Sequence, residues 1–166
     1  MENTPLKMLE KRLSKEHFQK LISIDNPELH RFVVEYVELC NPDTIFVYAD
    51  TEEDRAVIRR AAIEAGEERE RALEGHTIHF DGYRDQARDK ENTRFLLPKG
   101  TDLGSNINSI EREGGLQEVR SILKGLMQGQ TLYVRFFCLG PTKSAFSIPA
   151  VQLTDSPYVA HSEDLL

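Results

Sequence analysis

The chain has 166 residues, 39% of them hydrophobic and 30% charged, enough for one domain with a core that needs neither disulfides nor a structural metal. Twenty-one Lys and Arg against 28 Asp and Glu leave a net charge of −7, the wrong sign for a protein that neutralises phosphate backbones, so nucleic acid is no expected partner. No apolar run is long enough to span a bilayer and no lipidation motif is present, which excludes the membrane. Two cysteines without framework spacing and no apolar signal segment point to the cytoplasm.

The acid is unevenly placed. Residues 52–74 hold eight acids and five arginines, whereas residues 84–99 hold five bases and three acids, so the second stretch is the one suited to an anion. Residues 1–13 mix charge with scattered apolar side chains and read as a loosely attached arm or a short helix. Asn26-Pro27 starts a helix, as cap and first-turn proline, and Leu29, Phe32, Val33, Tyr36, Val37 and Cys40 follow at helical spacing. Asn41-Pro42-Asp43 ends it, and Ile45 to Tyr48 reads as a buried strand. Thr51 with Asp54 resembles a capping box for a second helix ending near Gly66. A third helix start is expected at Glu67 to Leu73.

His76 to Phe80 and Arg94 to Leu97 are expected to be strands around a polar loop that holds Arg84 and Arg88. Residues 98–115, rich in Gly, Asn and Ser, read as a long surface connection. Leu116, Val119, Ile122, Leu123 and Met127 mark a further helix, with Gly125 inside it. Thr131 to Leu139 is the strongest strand pattern, Gly140-Pro141 turns it, and Ile148 to Leu153 returns. The expected fold is α/β or α+β, a mixed sheet flanked by helices. Ser156-Pro157 caps a last helix that the chain leaves half built at Leu165-Leu166, so the 166 residues are expected to be the front of a longer protein.

Residue chemistry alone is sparse. No Gly-Lys dipeptide exists to build a phosphate loop. His76 and His79, three apart on a strand, fall on opposite faces and make no metal pair. His161 with Glu163 and Asp164 lacks a second ligand cluster and reads as a solvated helix face. Cys138 reads as a small core residue, and Ser144 and Ser147 have no neighbouring base. Arg84 and Arg88 can grip a carboxylate or phosphate with two forked donors, or else form surface ion pairs with Asp85 and Asp89.

The segment Gly125 to Pro141, with Met127-Gln128-Gly129-Gln130-Thr131 leading into a strand and a Gly-Pro turn, resembles the GTP-dependent phosphoenolpyruvate carboxykinase family. So do Leu153-Thr154-Asp155-Ser156-Pro157-Tyr158-Val159, the run Glu38-Leu39-Cys40-Asn41-Pro42-Asp43 with its strand and the acidic turn at Thr51, and the loop Arg84-Asp85-Gln86-Ala87-Arg88. The similarity spans residues 35–166 and corresponds to the family's amino-terminal domain. It implies a place in an enzyme that converts oxaloacetate and GTP to phosphoenolpyruvate, carbon dioxide and GDP, a gluconeogenic reaction.

On that resemblance Arg88 binds the substrate and Arg84 lies behind it or at the surface. The family's nucleotide loop, its manganese ligands and its lid belong to the remaining carboxy-terminal part. Mn2+, Mg2+ and GTP or GDP are therefore cofactors of the complete enzyme, not of these residues alone, which carry no catalytic or metal residue and are expected to be inactive by themselves. The chain departs from the animal enzymes at Arg135 to Leu139, at Thr142 to Phe146 and in the longer loop from Gly100 to Gly115, and is more similar to the archaeal-type branch. The competing reading is a stand-alone anion-binding or regulatory module without catalysis.

Overall fold

The computed structural model describes residues 4–82, 89 and 93–163. Its centre is a three-stranded mixed sheet of β1 (Thr44–Val47), β6 (Thr131–Leu139) and β7 (Ile148–Thr154), in the order β1-β6-β7. β1 runs parallel to β6, with Ile45 opposite Leu132 and Val47 opposite Val134, and β7 is antiparallel to β6, with Arg135 opposite Gln152. The expected mixed sheet is therefore present, as an α/β fold.

Alternation along the strands divides the packing between two faces. Ile45, Val47, Leu132 and Val134 belong to one core with Leu21 of α2 (Lys15–Ile22), Val33, Val37 and Cys40 of α3 (Pro27–Cys40), and Met127. Tyr48 and Tyr133 belong to a second, smaller core with Ile58 of α4 (Glu52–Glu64) and Ala160 of α6 (Pro157–Ser162).

Residues 4–12 form α1 (Thr4–Arg12), and Leu9 and Leu13 lie in the larger core. Of the two readings of this stretch, a loose arm or a short helix, the helix is the one present, and burying Leu9 completely is worth ~2 kcal/mol. α2 was not singled out by periodicity. Ser14 caps it, and His17 turns its Nδ1 to accept the Val47 backbone N–H at 3.2 Å. The edge of β1 is thereby closed to a stray strand.

Register between β1 and β6 is set by the segment that follows α5 (Arg112–Leu123). Gly125 N donates to Leu39 O at 2.8 Å and Met127 N to Cys40 O at 3.0 Å, so two carbonyls at the end of α3 that would lack helical partners are satisfied. Gly129 N then donates to Asp43 Oδ1 at 2.9 Å. Gly125 is not inside the helix. It lies beyond it with φ 68°, the left-handed conformation that ends a helix.

Two further expectations give way. Residues 67–73 start no helix: Gly66 closes α4 in a left-handed conformation, and β2 (Arg69–Glu70) pairs antiparallel with β3 (Thr77–Ile78). The strands expected at 76–80 and 94–97 are present as β3 and β4 (Phe95–Leu97), and β4 runs parallel to β5 (Ser109–Glu111). The stretch 98–115 is consequently not all connection; its last part is β5 and the first turn of α5, which Glu111 caps through its own carboxylate at Glu113 N and Gly114 N.

Candidate functional site

Arg84 and Arg88 lie outside the described residues. What the structure describes is a polar frame around the segment that precedes them in the sequence. At its base stands Glu67, just beyond α4. One carboxylate oxygen, Oε2, accepts from Ser156 Oγ at 2.7 Å and from Tyr158 N at 2.8 Å. Ser156 in turn caps α6 by accepting from Val159 N at 3.1 Å, and its own N–H reaches Thr154 Oγ1. The motif Leu153 to Val159 is thus a strand end, a tight cap and a short helix whose Tyr158 amide is taken by Glu67 and whose Val159 amide is taken by Ser156, the carboxylate lying where the helix dipole favours a negative charge.

Three side chains join this frame. His79 donates from Nδ1 to Glu67 O at 2.6 Å, faces Asp81 Oδ1 with Nε2 at 3.2 Å, and stacks on Tyr158 with ring centroids 3.6 Å apart at 9°. The half-buried His161 meets Oε1 of the buried Glu68 at 2.7 Å. This corrects the reading of His161 as solvated helix face: it is the inner side of α6 that carries it. Beneath, Tyr133 is held above its ordinary titration range by burial and then by the Glu67 charge. Arg135 is buried, its guanidinium carbon 3.5 Å from the centre of the Tyr48 ring, a stacked cation–π pair.

His76 and His79 do part company as their spacing requires: His76 is exposed, while His79 turns inward. Cys138 is half-buried, not a core residue, whereas Cys40 is in the core; both are free thiols. Ser144 and Ser147 brace the turn after β6, each donating to Pro141 O. Glu163 contributes a buried oxygen near the end of α6, and Asp164 is outside the described residues. Among the described residues no three His, Cys, Asp or Glu side chains gather into a metal ligand set. No described helix is long and apolar enough to cross a membrane.

The acidic turn at Thr51 proves structural. Asp54 accepts from Lys20 Nζ at 2.7 Å and from Ala49 N at 2.8 Å, with Thr51 capping Asp54 N. Burial pulls the Lys20 ammonium down, but its bonds to Asp54 and Glu16 outweigh this and carry it above its ordinary value. Glu67, Tyr48 and Arg135 were missed by sequence reasoning. The available signal was the Ser156-Pro157 cap, which implies a partner for its serine without saying where that partner lies.

Residues 31–166 match the phosphoenolpyruvate carboxykinase N-terminal domain family. The chain belongs to this family. Relatives named phosphoenolpyruvate carboxykinase [GTP] are 55% identical over 163 residues in Thermococcus sibiricus, 51% over 166 residues in Pyrococcus furiosus and 42% over 161 residues in Saccharolobus solfataricus. These alignments cover 97–100% of this chain and 26% of each relative. The chain thus spans about a quarter of the length of the carboxykinases it matches, and it corresponds to their amino-terminal domain. The likeness to the archaeal branch is borne out, as the Chlamydia caviae carboxykinase is only 31% identical.

Proposed function

We propose that residues 1–166 form the substrate-side domain of a GTP-dependent phosphoenolpyruvate carboxykinase, acting in the cytoplasm in the gluconeogenic direction. In this reading Arg88 holds the anionic group of oxaloacetate or phosphoenolpyruvate, and Arg84 supports it. The observation that carries the reading is identity of 51–55% along essentially the whole chain to proteins bearing that name.

The chemistry suits a guanidinium. Loss of carbon dioxide from oxaloacetate breaks a carbon–carbon bond and leaves its electron pair on an enolate, whose oxygen then takes the phosphoryl group of GTP. A forked donor that holds the substrate's anionic group keeps that oxygen aimed at the donor through both steps. The nucleotide loop and the manganese and magnesium ions belong, on this reading, to the carboxy-terminal three quarters of the enzyme.

In the full-length enzyme, Arg88→Ala is expected to raise KM for oxaloacetate about 100-fold, the scale of a lost charged, bidentate contact, and to leave KM for GTP within about twofold. Steady-state kinetics with each substrate varied in turn makes the measurement. Unchanged oxaloacetate kinetics would remove Arg88 from the site.

A further inference from the structure

We propose that the outer edge of β7 receives a further β-strand from the carboxy-terminal part of the full-length protein; the proposal rests on the reading above that these residues are one domain of a carboxykinase. The sheet order is β1-β6-β7, and among the described residues no strand lies beyond β7.

The ladder fixes which backbone groups that edge presents. Tyr48 N donates to Val134 O at 3.1 Å, so Val134 turns its backbone groups toward β1. Successive residues of a strand direct theirs to opposite edges, and Arg135 and Phe137 therefore turn toward β7. Their partners there are Gln152 and Ala150. Pro149, Val151 and Leu153, on the alternate positions, point outward. Proline is tolerated in a sheet where its missing N–H faces away from the ladder, and Pro149 meets that condition. It blunts one end of the edge, while Val151 and Leu153 each offer an outward N–H and C=O.

The two edges of the sheet differ in how they are guarded. On β1, His17 accepts the Val47 N–H at 3.2 Å, and Arg12 donates to Pro42 O at 2.6 Å just before the strand. β7 has the sequence IPAVQLT, without a charged side chain, and an uncharged edge is a template for pairing. Beside it lies an apolar cavity of about 480 Å³, lined in part by Leu29, Phe32, Phe136, Pro149 and Val151. At the end of the hairpin Phe146 is 81% and Ile148 60% exposed, so apolar surface continues past the edge, as on a surface that is covered in use.

The occupant favoured by these features is the same chain. This segment aligns with 26% of each carboxykinase relative, and a tethered segment of so long a remainder meets the edge at a higher effective concentration than a second copy does. Residues paired across a ladder put their side chains on one face. The incoming residue beside Val151 therefore carries an apolar side chain, which enters the cavity at Phe32 and Phe136.

The test uses the full-length protein in two measurements. In residue-resolved amide hydrogen exchange, Val151 and Leu153 are expected to exchange at least about 100-fold more slowly than unstructured chain, as Gln152 and Thr154 do through β6. A photo-crosslinking phenylalanine in place of Ile148 is expected to give a product of one-chain mass, joined to a peptide beyond residue 166. Exchange of Val151 and Leu153 at the unstructured rate, a cross-link between two chains, or no cross-link beyond residue 166 would each overturn the proposal. Carbon dioxide release from oxaloacetate by the same unsubstituted protein separates the two claims. Turnover with an open edge removes only the added strand; absence of turnover removes the carboxykinase reading, whatever the edge shows.

Discussion

Cys40 closes helix α3 with its side chain in the core, and burial, followed by the Asp155 charge, pushes its thiol up from the ordinary 9.0. Tyr133 is raised from 10.0 by burial and then by Glu67. Both groups keep their proton longer folded than unfolded, so neither affects stability below its ordinary value, and each removes stability as pH climbs past that value toward the folded one. The urea midpoint of the chain is therefore expected to be level to about pH 9 and to fall above it. In Cys40→Ala the midpoint should start lower everywhere, for the lost packing, but stay level to about pH 10, where Tyr133 takes over. A parent midpoint unchanged between pH 8 and 10.5 would show that neither proton is held by the fold.

At the scale of elements, short helices here depend on what receives their ends. α6 has six residues, too few to stand by themselves, and Ser156 with Glu67 satisfies its first amides. Ser156→Ala removes the cap and one of the two hydrogen bonds to the Glu67 oxygen, so a loss of about 1–2 kcal/mol in denaturant unfolding is expected. Ser14→Ala, at the exposed 3.3 Å cap of α2, should cost less, about 0.5–1 kcal/mol. Equal losses would mean that Glu67 adds nothing to the α6 cap.

The same dependence explains what could be read in advance. α3, β1, α4 and β6 carry their own signals, a cap, a proline, a β-branched run, and all four were legible. Residues 67–73 have helix-forming composition and yet form none, because Glu67 and Glu68 spend their carboxylates on α6, almost a hundred residues away, and local propensity has no access to that. The packing of α1 was hidden likewise, since Leu9 and Leu13 are recognisable as core only once β1 and β6 give them a sheet to lie on. Of the candidate site, Arg84 and Arg88, singled out by their charge and then by the family resemblance, lie outside the described residues. The frame of Glu67, His79 and Tyr158 was not legible, as it joins residues from three separated segments.

At the scale of the whole molecule, the matched motifs turn out to be joined in space. Glu38 to Asp43 receives Gly125 to Gly129 by three hydrogen bonds, which aligns β6 beside β1. Leu153 to Val159 returns along β7 to meet Glu67 on the other face. One long motif therefore sets the sheet register, and the other ties the sheet to the hairpin from which the arginine loop departs. The relatives named phosphoenolpyruvate carboxykinase [GTP] are about four times as long as this chain.

The most direct measurement is release of carbon dioxide from oxaloacetate by the full-length protein, with GTP, ATP and pyrophosphate compared as phosphoryl donors. The expected result is turnover that requires a donor, runs at least about tenfold faster with GTP than with either alternative, and yields phosphoenolpyruvate in equal amount. No release with any donor, or release without phosphoenolpyruvate, would contradict the assignment of this domain to a GTP-dependent carboxykinase reaction.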